Sequence, residues 1–475
     1  MYTTPLLTDF YELTMGQGYF LNKQNPRVVF DMQFRRQPFG SGFSVLAGIE
    51  PLIDRLVNLS FSEDDLDYLE SQSTFKPAFL DYLKNYKFSG DLYAMDEGSL
   101  VFPEEPLIRI HSNLIEAQLI ESLLLNIVNF QTLIATKSAR IYNTAKGGKI
   151  QEFGLRRAQG IDGALSAARA AYIGGVSSTS NTMAGKDYGI PVSGTMAHSW
   201  VMTFDDELEA FRSYADLYPE NTILLIDTYD TLGCGIENAI TVGLEQKKKG
   251  RNIGVRLDSG DLQYLSVRVR KKLDDAGLND AIICVSNDLN EEVIWQLVSN
   301  NAPIDLWGVG TQLVTGGCDS SLTGVYKLAA RQVDGNYQPT IKVSNNPEKI
   351  TNPGIKQVYR FYDENKSPLG DLISCADEEL SIGGPIRFNH PMYRYKSLKL
   401  ESYHSAEPLL RKRISGGKIC EPHPPIKDIR SSVIEQMEYL DPTHKRLINP
   451  HIYKVSLSDK LRDLKFGMID ERLGN

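Results

Sequence analysis

Thr222 to Asp227 (TILLID), Asn252 to Asp258 (NIGVRLD) and Ala281 to Ser286 (AIICVS) are short aliphatic runs whose starts fall 30 and 29 residues apart. Each is followed by a stretch with helical spacing of apolar residues: Gly235 to Lys249, Leu262 to Ala276 and Asn290 to Val298. One strand and one amphipathic helix in about thirty residues is a βα unit. Further strand candidates lie outward at Lys149 to Phe153, Gly174 to Ser178, Ile190 to Gly194 and Asp305 to Val309, with a helix at Asp205 to Leu217. Seven such runs in succession predict an α/β fold built on an irregular (β/α) barrel.

The barrel is expected over residues 114–330, opened by the low-charge helical stretch Leu114 to Thr136. Residues 1–113, with alternating runs such as Val28 to Phe34, predict an N-terminal α+β domain. Residues 331–475 follow as turn-rich C-terminal elements, with strands such as Lys356 to Tyr362, packing on both and partly completing the N-terminal domain.

Composition narrows the function. The 475 residues carry 51 Lys and Arg against 60 Asp and Glu, a net charge of −9, so no global basic excess points to nucleic acid. Hydrophobic residues at 41% and charged residues at 23% suit a folded chain with a sizeable core. The five cysteines are scattered without a CxxC pair, which predicts reduced thiols in a cytoplasmic protein. MYTTPLLTDF lacks the order of a signal peptide, and Ser122 to Thr136, interrupted by Asn126, Asn129 and Gln131, is too short and polar to span a membrane.

Polar clusters follow the strand candidates: Glu152 to Arg157, Ser177 to Asn181, Ser193 to His198, Asp227 to Asp230, Asp258 to Asp261, Ser286 to Asp288 and Gly308 to Thr311. In a parallel barrel these strand ends open onto one mouth. Its arginines, Arg156, Arg157 and Arg256, offer forked donors to phosphate or carboxylate, and the backbone at Gly310-Thr311 suits a phosphate. Aspartates beside such anions act through Mg²⁺ or ribose hydroxyls. His198, near a helix start, reads as an acid, base or nucleophile, or as a hydrogen-bonded structural histidine. Asp258 and Asp261 form a carboxylate pair of the kind glycoside hydrolysis uses, but Asp261 also sits where the N-cap of the next helix belongs, which leaves Asp258 as the functional one.

Five clusters together resemble the nicotinate phosphoribosyltransferase family: Pro5 to Tyr11, Glu152 to Ala158, Ser193 to Ser199, Gly254 to Leu262 and Trp307 to Thr311. Val176 departs from the aromatic residue more usual there. The resemblance implies a type II phosphoribosyltransferase fold and conversion of nicotinate and phosphoribosyl pyrophosphate to nicotinate mononucleotide and pyrophosphate, coupled to ATP hydrolysis, with Mg²⁺, in a cytoplasmic homodimer that binds neither nucleic acid nor membrane. By the same resemblance, His198 becomes a phosphohistidine and Asp258 serves the sugar diphosphate site. Tyr11, from the neighbouring subunit, and Phe153 sandwich the pyridine. Thr195 and Arg256 hold the nicotinate carboxylate, and Arg156, Asn287, Gly310 and Thr311 line the phosphoribosyl pyrophosphate site. The alternatives are a nicotinamide-using relative, a barrel glycoside hydrolase working through Asp227 and Asp258, and a non-catalytic ligand sensor.

Overall fold

The computed structural model describes residues 4–380 and 383–474. The first three residues of the stretch read for a signal peptide, and Asn475 of the C-terminal region, lie outside them. The chain packs as two compact units, Ile134–Ser320 and Met1–Leu133 with Ser321–Asn475.

The unit Ile134–Ser320 holds six parallel strands: β1 (Lys149–Glu152), β2 (Ser178–Thr179), β3 (Ile223–Leu225), β4 (Gly254–Leu257), β5 (Ile282–Ser286) and β6 (Leu306–Val309). Their order across the sheet is β2-β1-β6-β5-β4-β3. A parallel bridge from Thr179 to Val192 adds one more segment beside β2. What is seen is therefore a parallel α/β sheet, and among the described residues no ladder joins β3 to the Val192 segment to close it.

Two expected strands shrink for identifiable reasons. Over Gly174 to Ser178 only the end reaches β1, through the Ser177 N–H to the Ile150 carbonyl at 2.9 Å and the pairing of Ser178, because Gly174 and Gly175 form the turn that ends the helix Gly160–Ile173. An added Cβ at Gly174 would lie 2.2 Å from the Ala135 carbonyl oxygen, and Gly175 has φ 116°, so this turn fits only without side chains. Over Ile190 to Gly194, Pro191 has no N–H to give. The segment keeps two bonds, Thr179 N–H to the Pro191 carbonyl at 3.0 Å and Ser193 N–H to the Thr179 carbonyl at 3.0 Å.

The intervening helices start where the sequence supplies caps. Asp206, Asp261 and Asn290 accept N–H bonds from Leu208, Tyr264 and Val293, opening Glu207–Leu217, Leu262–Asp275 and Glu291–Ser299. The fourth, Ile236–Lys248, carries Lys247 and Lys248 in its last turn, where cations oppose the helix dipole.

In the other unit, Gly324–Val333 and Ile108–Asn113 flank Arg27–Phe34 in a seven-stranded antiparallel sheet, and Arg411–Ser415 pairs with Asp91–Ala94. A second, six-stranded sheet contains Lys356–Tyr362, Pro368–Cys375 and Val455–Leu457. Within it the buried Arg360 pairs with Asp371 at 2.6 Å, and Tyr453 donates to the same carboxylate at 2.8 Å. No helix among the described residues is long and apolar enough to cross a membrane.

Candidate active site

Because all six strands run parallel, their C-terminal ends share one edge, and the polar residues following them gather there. Arg256 is the hub. From β4 its Nε donates to Ser286 Oγ at 2.9 Å, one Nη to Thr195 Oγ1 at 2.7 Å and the Met196 carbonyl at 3.2 Å, and the other Nη to Asp258 Oδ1 at 2.8 Å. Ser286 also donates to Asp258 Oδ1. These bonds fix a guanidinium plane using four of the five N–H donors an arginine owns.

His198 opens the helix His198–Met202. Its Nδ1 lies 3.1 Å from Thr228 Oγ1, and its Nε2 lies 3.8 Å from Asp258 Oδ2. The Thr228 contact fixes the ring so that its other nitrogen faces the Arg256–Asp258 pair. Asp227 ends the β3 run; its Oδ2 accepts the Asp258 N–H at 2.9 Å and the Ser259 hydroxyl at 2.5 Å, while its Oδ1 is buried with no hydrogen-bond partner.

Phe153 stands beside this cluster, with the Arg256 guanidinium carbon 5.8 Å from its ring centroid. Its placement is set by what is missing next to it. A Cβ on Gly308 would come within 2.7 Å of two Phe153 ring carbons, and one on Gly154 would collide with Val314. Glu152 completes the fixture: its buried carboxylate accepts from the Gly154 N–H and, at 2.5 Å, from Thr179 Oγ1. Burial raises the Glu152 carboxyl above the usual carboxylate range, and these two bonds only partly oppose the shift.

Gly310 runs beside the Phe153 carbonyl, 3.2 Å from where its Cβ would be, and Thr311 starts the helical turn Thr311–Val314. Arg156 lies on the turn Leu155–Arg157 that follows β1, and Asn287 follows β5; both are exposed. Arg156, Asn287 and Thr311 thus share the edge, while among the described residues their side chains take no part in the bonded cluster of Thr195, His198, Arg256 and Asp258. Tyr11 belongs to the other unit, on the helix Phe10–Leu21, and is 46% exposed. Desolvation, then Glu121 and Glu12, push its phenol well above the usual range. Asp261 caps its helix and does not enter the cluster.

Sequence reasoning gave no role to Ser286, Thr228 or Glu152, although each stood in a polar cluster it had singled out. Their signal is faint because a serine, threonine or glutamate at a strand end is ordinary, and only the tertiary partner gives it meaning. Among the described residues no group of three or more His, Cys, Asp or Glu is arranged to hold a metal.

The comparisons with known proteins cover nearly the whole chain. Residues 6–129, 148–365 and 355–465 match, in turn, the family models of the nicotinate phosphoribosyltransferase N-terminal domain, the nicotinate phosphoribosyltransferase family and its C-terminal domain. Nicotinate phosphoribosyltransferase of Bacillus subtilis (strain 168) is 43% identical over 98% of this chain and 95% of its own length. The Homo sapiens protein of the same name is 34% identical over 97% of this chain and 96% of its own. A crystal structure of human nicotinic acid phosphoribosyltransferase superposes with a TM-score of 0.83 at 30% identity, covering 97% of this chain and 99% of that one. With its Arg256-centred cluster at the parallel sheet edge, and with relatives of this identity along its length, the chain belongs to the nicotinate phosphoribosyltransferase family.

Proposed function

We propose that this protein transfers the phosphoribosyl group of phosphoribosyl pyrophosphate to nicotinate, giving nicotinate mononucleotide and pyrophosphate for NAD biosynthesis, with ATP hydrolysis coupled through phosphorylation of His198. The observation that carries this reading is the four-way bonding of Arg256, which sets a cation with one donor to spare beside an aromatic wall, Phe153, and a histidine, His198. A flat aromatic acid fits between them: Arg256 and Thr195 meet its carboxylate while its ring lies on Phe153. Tyr11 would supply the second face from a neighbouring subunit in a homodimer.

Displacing pyrophosphate builds positive charge at the sugar carbon, so the protein must hold the leaving group and aim the pyridine nitrogen in line. That nitrogen is neutral and needs no base, which accords with a site made of anchors. Arg156, Asn287 and the Gly310-Thr311 backbone, which follow the parallel strands, would bind the sugar phosphates, and Asp258 would orient the ribose. Mg²⁺ would neutralise charge on the diphosphate when bound. Asp227, with a buried oxygen left unpartnered, and Asp258 suit a cation held mainly by substrate oxygens. Thr228 would orient His198 to receive the terminal phosphoryl group of ATP, with ADP leaving.

The same reading takes the parallel sheet, extended through Val192, as the wall of an irregular barrel in a cytoplasmic enzyme. Radiolabelled nicotinate supplied with phosphoribosyl pyrophosphate, with and without ATP, tests the whole. Label should appear in nicotinate mononucleotide, and more of it with ATP. His198→Ala should keep slow turnover and lose the ATP stimulation. Equal or better turnover of nicotinamide, or a His198→Ala variant that ATP still accelerates, would refute the corresponding part.

A further inference from the structure

The turn Asn287-Asp288 is fastened from both sides, and one of the fasteners has no part in the chemistry above. Both residues have left-handed backbone, with φ 86° and 41°, and neither is glycine. L side chains adopt this region at a cost, and consecutive residues keep it only where the surroundings over-determine the backbone. On the strand side, Ser286 is buried and bonded to Arg256 and Asp258. On the helix side, Leu289 is buried, Asn290 caps the helix, and Glu291 is its first residue.

Glu291 is itself buried, and its carboxylate meets Lys137 Nζ at 2.7 Å and Arg140 Nε at 3.0 Å. Both cations come from the helix Glu121–Thr144, and their side chains are nearly as buried as the carboxylate. Burial by itself would raise the Glu291 carboxyl, but Lys137 and then Arg140 together outweigh it and hold it below the usual range. Three buried charges add little net stability over well-packed apolar side chains, so bulk stability does not account for them. What they provide is direction, since two cations from one helix face locate the carboxylate, and with it the start of the next helix.

We propose that Glu291, clamped by Lys137 and Arg140, is a positioning residue that holds the strained Asn287-Asp288 turn in the shape that receives phosphoribosyl pyrophosphate. The substrate named here rests on the function proposed above. The clamp itself does not.

The test uses the full-length protein and Glu291→Gln, with steady-state kinetics in both substrates and hydrogen exchange of the 286–290 amides without substrate. The KM for phosphoribosyl pyrophosphate should rise about tenfold while that for nicotinate stays within about twofold, and the turn amides should exchange faster. Adding Asp288→Gly, which accepts positive φ without strain, should restore most of the lost affinity. If Glu291→Gln does not fold, Glu291→Asp keeps the charge but shortens the reach, and should give the same selective rise. An unchanged KM with unchanged exchange overturns the proposal even if the melting temperature falls, and so does failure of the glycine to rescue. A parent protein that does not use phosphoribosyl pyrophosphate sinks the proposed function, whereas the exchange measurement still decides the clamp.

Discussion

At the scale of single residues, Arg256 and Gly308 do opposite jobs at one spot. Arg256 acts by what it donates. If it holds the nicotinate carboxylate as proposed, Arg256→Ala would remove a charge-assisted bond and should cost about 1.5–3 kcal/mol of binding. That corresponds to a nicotinate KM about 10–150-fold higher, read from initial rates at saturating phosphoribosyl pyrophosphate. Gly308 acts by leaving space: a methyl there would meet the Phe153 ring at 2.7 Å. Gly308→Ala should therefore raise the nicotinate KM by about tenfold with little change in the phosphoribosyl pyrophosphate KM. Equal rises in both would show that the ring is not placed by this glycine. Arg256 was legible from its motif and from the chemistry of guanidinium. The role of Gly308 was not, because nothing in a linear chain reveals that a ring more than a hundred positions away lies against it.

At the scale of elements, the two aspartates of the Ser-Gly turn take different partners, and Asp261 is the helix cap that the sequence suggested. Asp261 accepts the Tyr264 N–H at 3.0 Å and starts the helix Leu262–Asp275, whereas Asp258 turns back to Arg256. Asp261→Ala should cost about 1 kcal/mol of stability in denaturant melts while turnover is kept. Asp258→Asn should fold and lose most activity, since it weakens the tie to Arg256 and would weaken the ribose contact proposed for it. If the effects are reversed, the division of labour is wrong. Helix positions were readable because caps and period are local: Asp206, Asp261 and Asn290 each announce a helix within four residues. The strands Gly174 to Ser178 and Ile190 to Gly194 were over-read because β composition is also what a buried turn or a single bridge needs, and Pro191 and the tight approach at Gly174 decide between them.

At the scale of the molecule, pH exposes terms that no single motif carries. In the strand Ile108–Asn113, burial, and after it Arg109, push His111 down to about 4 from the ordinary 6.5. A base with a depressed folded value favours the fold fully above 6.5 and loses that contribution as pH falls towards 4, because the unfolded chain takes up the proton first. Stability should thus drop by about 3 kcal/mol over that window, and His111→Asn should flatten the drop in chemical denaturation curves. The βα units from Thr222 to Ser286, the caps and the candidate residues Thr195, His198, Arg256 and Asp258 were legible in local pattern and motif, since periodicity and side-chain chemistry are properties of neighbours in the chain. Only the tertiary structure decided that Arg256 spends four donors on Thr195, Met196, Ser286 and Asp258, that Glu152 secures the turn under Phe153, and that Glu291 lies between two buried cations. Those contacts join positions up to 154 apart in the chain, and their strength depends on distance and desolvation, which exist only once the strands have come together.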